Sequence, residues 1–173
     1  MTTEHLLLAE RKNEMSGWTR EQLQEICKNG KKFRGLKLHG ADFSGMDLEK
    51  ADFRSASCPY ANFTNANCRF INLETANLTL TTWDGADLHR ANMKDAILCD
   101  ADMSKVKDFF GVTVTMECRT WKGLKLSPGH WWGFLYYGLL MIPPSDEAKD
   151  KLTLCMGEEV YTTLKNLYST RRM

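Results

Sequence analysis

The chain has 173 residues, 43% of them apolar and 26% charged, and its 23 basic and 22 acidic side chains leave a net charge of +1. This is a folded composition without a disorder signature, sized for one compact unit or for a repeat body with a small appended module. No region is electrostatically committed: residues 1–35 carry seven basic and five acidic groups, 36–105 seven and ten, and 106–173 nine and seven.

The amino terminus, MTTEHLLLAERKNEM, lacks a basic stretch followed by a long apolar one. No secretory signal is expected, and the protein is placed in the cytoplasm. A helical segment is expected from roughly Glu4 to Lys28. Leu6, Leu7 and Leu8 open it, and Thr19 to Cys27 reads as a capped helix with Leu23, Ile26 and Cys27 on one side. Asn29-Gly30 stops it. Lys31 to Gly35 reads as a degenerate lead-in with Phe33 inward, so residues 1–35 are expected to be a helical N-terminal cap.

From Leu36 to Lys105 the chain has a period of five, in fourteen consecutive pentads: LKLHG, ADFSG, MDLEK, ADFRS, ASCPY, ANFTN, ANCRF, INLET, ANLTL, TTWDG, ADLHR, ANMKD, AILCD and ADMSK. The third residue is apolar in all fourteen, the first is Ala in ten, and the second is Asp or Asn in ten. Neither the helical period of 3.6 nor the strand period of 2 can place these side chains on one side.

The pattern A-(D/N)-(L/F)-x-x resembles the pentapeptide-repeat family. That resemblance implies a right-handed quadrilateral β-helix, a mainly β solenoid in which each pentad forms one side and four pentads one coil. Fourteen pentads then make about 3.5 coils, roughly 17 Å of tube at a strand spacing of about 4.8 Å. So short a solenoid needs its ends covered.

Positions twenty apart stack, which sorts the inward residues into four columns. One is Phe43, Phe63, Trp83 and Met103; the next Leu48, Cys68 and Leu88; then Phe53, Leu73 and Met93; and last Leu38, Cys58, Leu78 and Leu98. All four read as core. Cys58 and Cys68 lie on opposite sides of the tube as small hydrophobes, and the six cysteines show no CxxC, so a reduced chain is expected.

After Lys105 the period fails, because Val106-Lys107-Asp108 puts a carboxylate where an apolar residue is needed. Val112, Val114, Met116 and Cys118 then alternate with polar residues, a strand signature that could pair with the last coil. Trp131 to Ile142 has no polar side chain other than tyrosine hydroxyls, yet falls short of the about 20 residues a membrane span needs. It reads as a buried cap helix that can also serve as an interface through Trp131, Trp132, Phe134, Tyr136 and Tyr137. Helices after Pro143-Pro144 and from Glu158 complete a strand-plus-helices capping and interaction module over residues 106–173.

No phosphate loop, HExxH, GxSxG or Cys/His metal spacing occurs, and His5, His39, His89 and His130 are scattered. No enzyme, cofactor or metal site is expected. The family resemblance implies a second possibility: members with a worked-out role imitate a rod of duplex DNA and bind DNA gyrase or topoisomerase IV in its place. That role needs an acidic surface. Here the repeat nets 7 − 10 = −3, and Asp42, Asp84 and Asp102 form one outward acidic face with no basic neighbour until Lys105. Direct nucleic-acid binding is not expected, since no basic patch or reader motif is present. The more informative face carries Pro59, Tyr60, Leu80, Ile97 and Cys99 outward, where other faces show charged or amide residues. The reading is a protein-binding or self-assembling scaffold that engages a protein partner or further copies of itself through that face and the aromatic segment.

Overall fold

The structure is a computed structural model that describes residues 17–114 and 123–127. The expected helix start at Glu4 with Leu6, Leu7 and Leu8, the segment of Trp131, Trp132, Phe134, Tyr136 and Tyr137, and the helices after Pro144 lie outside the described residues.

Helix α1 (Arg20–Lys28) forms where the sequence supplies both of its ends. Thr19 Oγ1 accepts from the Gln22 N–H at 3.4 Å while Gln22 Oε1 accepts from the Thr19 N–H at 3.0 Å, a reciprocal capping box. Asn29 follows as C-cap, and its N–H returns to the Glu25 carbonyl at 3.1 Å. Leu23 is wholly buried in the cluster that holds Phe33 and Phe43. Polar ties fix the start of α1 against the first coil: Trp18 Nε1 donates to the Lys37 carbonyl at 2.7 Å, and Arg20 to the Ser44 carbonyl at 2.6 Å.

The body is a parallel β-helix of four five-residue sides. Bridges join residues twenty apart in four ladders: Lys32–Asp52–Asn72–Asn92, Lys37–Ser57–Asn77–Ile97, Asp42–Asn62–Thr82–Asp102 and Asp47–Asn67–Asp87. Each side contributes one bridging residue, always the second of its pentad. Its chemistry explains the Asp/Asn column. Asp42 Oδ1 accepts the Ser44 N–H at 3.0 Å, Asn62 Oδ1 the Thr64 N–H at 3.0 Å, and Asn72 Oδ1 the Glu74 N–H at 3.1 Å. The side chain thus closes the local turn two residues on. The amides also stack between coils, Asn62 Nδ2 donating to Asp42 and Asn67 Nδ2 to Asp47.

Each fifth residue from 35 to 100 turns the corner with φ between +53° and +70°, and only four of those fourteen are glycine. This left-handed backbone costs about 1–2 kcal/mol in a residue with a Cβ, so the tube forms because cooperative stacking outweighs local preference. Gly85 also lies close to the end of a side chain one coil below. At φ +70° any Cβ there would run into Asn65 Oδ1.

Inside, the first and third residues of the pentads are buried from Leu38 onward, alternating Ala with Phe, Leu, Met, Cys or Trp. Phe43 stacks on Phe63 at 4.9 Å and Phe63 on Trp83 at 4.1 Å; from the facing side, Phe33 stacks on Phe53 at 4.3 Å. The two columns meet edge-on along the axis, as Phe43 meets Phe53 at 5.2 Å and 77°. Phe33 therefore starts the core, one pentad before the repeat reads clearly. Thr81, a buried polar residue in the Ala column, accepts from Trp83 Nε1 at 2.8 Å and donates to the Leu78 carbonyl at 2.6 Å.

Beyond Lys105 the tube continues. The break read in the sequence is a one-residue insertion: Asp87 bridges Asp108, a step of 21, so Asp108 takes the ladder position and Phe109 enters the core. Strand β1 (Asn92–Met93) then pairs in parallel with β3 (Thr113–Val114), and β2 (Asp102–Met103) with β4 (Lys125–Leu126). Val112, Leu124 and Leu126 are buried at the first and third positions of their sides. A carboxylate misplaced by the five-residue count is correctly placed once a single residue loops out.

Candidate functional site

The ladder geometry distributes outward side chains onto four faces, and two of these carry exposed apolar groups. On the face above Leu38, Cys58, Leu78 and Leu98, Tyr60 is 57% exposed and Leu80 and Ile97 are each 39% exposed. Pro59 and Cys99 sit half-buried between them. Tyr60 and Leu80 occupy consecutive left-handed corners, at φ +61° and +57°, and His39 packs its ring against Tyr60 at 5.1 Å. Ile97 stands in the ladder position that elsewhere is mostly Asp or Asn, so its pentad has no side chain to close the turn. Lys37 and Ser57, in the same ladder, also lack the amide or carboxylate. At Lys37, Ser57 and Ile97 this ladder lacks the amide or carboxylate and keeps it at Asn77, whereas the ladder of Lys32 departs there and at Thr113 and that of Thr82 departs there and at Lys125. The structure brings together all five of its sequence-expected residues; the other five, in the Trp131 segment, are outside the described residues.

The acidic face is differently placed from its sequence reading. Each of its three carboxylates meets a cation: Arg20 reaches Asp42 at 3.4 Å, Lys105 reaches Asp84 at 3.2 Å and Lys125 reaches Asp102 at 3.6 Å. Two of these cations come from outside the repeat, which is why counting within it left the column looking unpaired. The Ser44 hydroxyl and N–H hold Asp42 below the usual carboxylate range, with Arg20 adding to the effect. The Ser104 hydroxyl does the same for Asp102 against partial burial, helped by the Ser104 N–H and Lys125.

A third cluster escaped the sequence reading. Opposite the Tyr60 face, His89 lies between two rings, edge-on to Phe70 at 5.8 Å and stacked with Phe110 at 5.6 Å. Arg69 sits over Phe70 at 5.9 Å and reaches Asp87 at 3.2 Å, while His89 Nδ1 meets Asp108 at 3.1 Å. Phe70 stood in plain view at an outward position. Phe110 could not be placed without the insertion. Burial pushes the thiols of Cys58 and Cys68 far up, so neither is a nucleophile, and among the described residues no three His, Cys, Asp or Glu side chains converge on a metal position.

These features define a class first: a β-solenoid with a period of five, whose described polar and apolar clusters lie on its outward faces. Residues 32–67 and 66–104 match the model of the family described as pentapeptide repeats, in eight copies. Residues 32–104 are thus pentapeptide repeats of that family, whose members form right-handed quadrilateral β-helices. No curated protein matches the sequence. Among solved structures the chain is similar to a pentapeptide repeat protein from the Arabidopsis thaliana thylakoid lumen, with 20% identity over 76% of this chain and 90% of that one and a TM-score of 0.44. It is also similar to HetL, a pentapeptide repeat protein involved in heterocyst differentiation regulation from the cyanobacterium Nostoc sp. strain PCC 7120, with 26% identity, 56% and 45% coverage and a TM-score of 0.34. A plasmid-mediated fluoroquinolone resistance protein matches at 21% identity, 56% and 51% coverage and a TM-score of 0.36. The match thus spans about half the length of the last two. No helix among the described residues is long and apolar enough to cross a membrane.

Proposed function

We propose that this protein is a non-enzymatic contact scaffold: a short quadrilateral β-helix, about 3.5 coils in its repeat, that presents the Pro59, Tyr60, Leu80, Ile97 and Cys99 face to another protein or to its own copies. In this reading α1 caps the first coil, residues 106–173 cap and extend the last, and Trp131, Trp132, Phe134, Tyr136 and Tyr137 enlarge the contact surface. A reducing cytoplasmic setting suits it, with Cys27, Cys58 and Cys68 as free thiols.

One observation carries the proposal. On a single face the chain places bulky apolar side chains at the two position types where the local physics asks for something else. Tyr60 and Leu80 take left-handed corners that glycine would occupy without strain, and Ile97 takes a ladder position where an amide would close the turn. Three departures on one exposed face are what a contact surface needs and a solvated wall does not.

The alternative, imitation of DNA toward a gyrase, topoisomerase or other DNA-processing enzyme, depends on Asp42, Asp84 and Asp102. Their pairing with Arg20, Lys105 and Lys125 dilutes the field that such imitation requires, so we rank it second. The test is affinity capture by the intact chain, followed by the same capture with Tyr60→Glu/Leu80→Glu and with Asp42, Asp84 and Asp102 each changed to Lys. Loss of the captured protein only in the first variant, with little dependence on salt, supports the scaffold. Loss only in the second, steepening with salt, sinks it in favour of mimicry.

A further inference from the structure

In a parallel β-helix each coil bonds to the coil before it, so the first coil ends in a row of open backbone groups. On the side of residues 51–55 the regular bonds are three. The Asp52 N–H donates to the Lys31 carbonyl at 2.9 Å, and the Asp52 and Arg54 carbonyls accept from the N–H groups of Phe33 at 2.8 Å and Gly35 at 2.9 Å. Before the tube, side chains reproduce part of this pattern. Trp18 Nε1 donates to the Lys37 carbonyl at 2.7 Å, Arg20 to the Ser44 carbonyl at 2.6 Å and Lys31 Nζ to the Glu49 carbonyl at 3.3 Å. One coil on, the equivalent carbonyls of Ser57, Thr64 and Arg69 accept from the backbone of Leu38, Gly45 and Lys50. Three sides of the first coil are thus each capped at one carbonyl. The fourth side, residues 31–35, is open: among the described residues nothing meets the Lys32 N–H or the carbonyls of Lys32 and Arg34.

That open edge is also basic. Lys28, Lys32 and Arg34 are exposed and make no ion pair among the described residues, whereas Lys31 is engaged with Asp47 at 2.6 Å. Lys32 runs back toward the end of α1, its Cε 4.0 Å from where a Cβ on Gly30 would stand. Asp52, next in the ladder, is held by two Arg54 nitrogens at 2.9 and 2.8 Å. We propose that this edge receives an extended acidic segment of another protein as one more parallel strand. The bonds of the following coil set its register: one carbonyl accepts the Lys32 N–H, and two N–H groups two residues apart donate to the Lys32 and Arg34 carbonyls. Acidic side chains at alternate positions of the segment then lie beside Lys32 and Arg34. Two copies joined edge to edge would set these cations against their like. A phosphate polymer would answer the charge, but its backbone has no N–H for the two carbonyls.

The test titrates the intact, nitrogen-15-labelled chain with a short acetylated and amidated peptide carrying Asp and Glu at alternate positions. One strand side is a small contact, so the titration runs to millimolar peptide. The Lys32 amide resonance should shift, and its hydrogen exchange, fast in the free chain, should slow at least fivefold at saturation. A peptide with Asn and Gln in place of the acids should bind several times more weakly. Lys32→Glu/Arg34→Glu, at exposed positions and checked for folding by circular dichroism, should weaken binding more than tenfold, and a peptide with Lys at the alternate positions should bind that variant instead. Lys32→Gln serves as a milder second variant. Absence of binding, or binding that leaves Lys32 exchange unchanged, overturns the proposal. Duplex DNA that binds through the same cations as tightly as the peptide, with Lys32 exchange still fast, assigns the edge to a polyanion and refutes the added strand. A Lys32 amide already protected in the free chain assigns the edge to the chain's own residues 1–16, which refutes it equally.

Discussion

Thr81→Ala removes one hydroxyl and one methyl from the first position of a pentad, where ten of the fourteen pentads already carry alanine. By the repeat's own logic the change should be harmless. The structure says otherwise, because Thr81 Oγ1 is the partner of the buried Trp83 Nε1 at 2.8 Å, and both residues are sealed from solvent. Orphaning a buried donor costs about 1–3 kcal/mol. The loss of the hydroxyl's own bond to the Leu78 carbonyl is cheaper, since that carbonyl also accepts the Thr81 N–H at 3.3 Å. In a Trp83→Phe background there is no indole to orphan, and Phe63 above an Ala61 shows that Phe and Ala coexist at these positions. Thr81→Ala should therefore cost about 2 kcal/mol with Trp83 present, or roughly 4–8 °C in Tm for a chain of this size. In the Trp83→Phe background the cost should be under about 1 kcal/mol. Urea unfolding followed by circular dichroism on the four proteins of the cycle gives the coupling directly. A coupling below about 0.3 kcal/mol, the noise of additivity, would refute the account of why threonine interrupts the alanine column.

The corners offer a paired test: Gly45→Ala and Gly85→Ala both put a Cβ at positive φ, but nothing lies within 4 Å at Gly45 whereas Asn65 blocks Gly85. The first should cost about 1 kcal/mol by backbone strain alone and the second clearly more; equal melting temperatures would contradict the close approach. Leu23→Ala empties the site that anchors α1 in the core and should cost about 2–4 kcal/mol, read as a lower urea midpoint. Acid stability follows from Asp42, Asp47 and Asp52, whose native pKa values lie below the ordinary carboxylate range through hydrogen bonds from Ser44, Lys31 and Arg54 respectively. A depressed native pKa means the stabilisation is whole above the unfolded value near about 3.9 and drains away as pH falls through the native one. Asp42→Asn keeps the turn-closing oxygen, as Asn62 does one coil on. The variant should unfold over a narrower acid range than the parent in a circular-dichroism titration, and identical acid curves would count against the linkage.

Where the repeat is regular, its five-residue period carries the fold in the sequence. Inward columns, the lead-in through Phe33 and the ends of α1 were all legible, because each depends on side-chain size or on capping chemistry within a few residues. What was not legible depends on register or on distant chain. Lys107 and Asp108 look like the end of the repeat until one residue is allowed to loop out, and a period count has no place for an insertion. The acidic face looked unpaired because Arg20 and Lys125 lie 22 and 23 residues from their carboxylates, outside the repeat. The ten non-glycine corners hid a requirement for left-handed backbone that only stacked geometry exposes.

The two apolar faces differ in what their exposed side chains do for the tube. Phe70 and Phe110 are bound into a network with Arg69, Asp87, His89 and Asp108, and that network spans the insertion. Asp108 Oδ1 closes its turn by accepting the Phe110 N–H at 2.8 Å while its other oxygen meets His89. Burial opposes ionisation of Asp108, but these contacts prevail and hold it as a carboxylate. The aromatic pair thus braces the irregular coil against the regular one beneath it, and its exposure is explained by a local task. Among the described residues Tyr60 packs on His39, and Tyr60, Leu80 and Ile97 span no insertion: they stand on a regular part of the ladder, where glycine and asparagine would serve the tube better. That contrast, exposed apolar groups at positions where the default residues would serve the fold better, is what supports the proposed contact face.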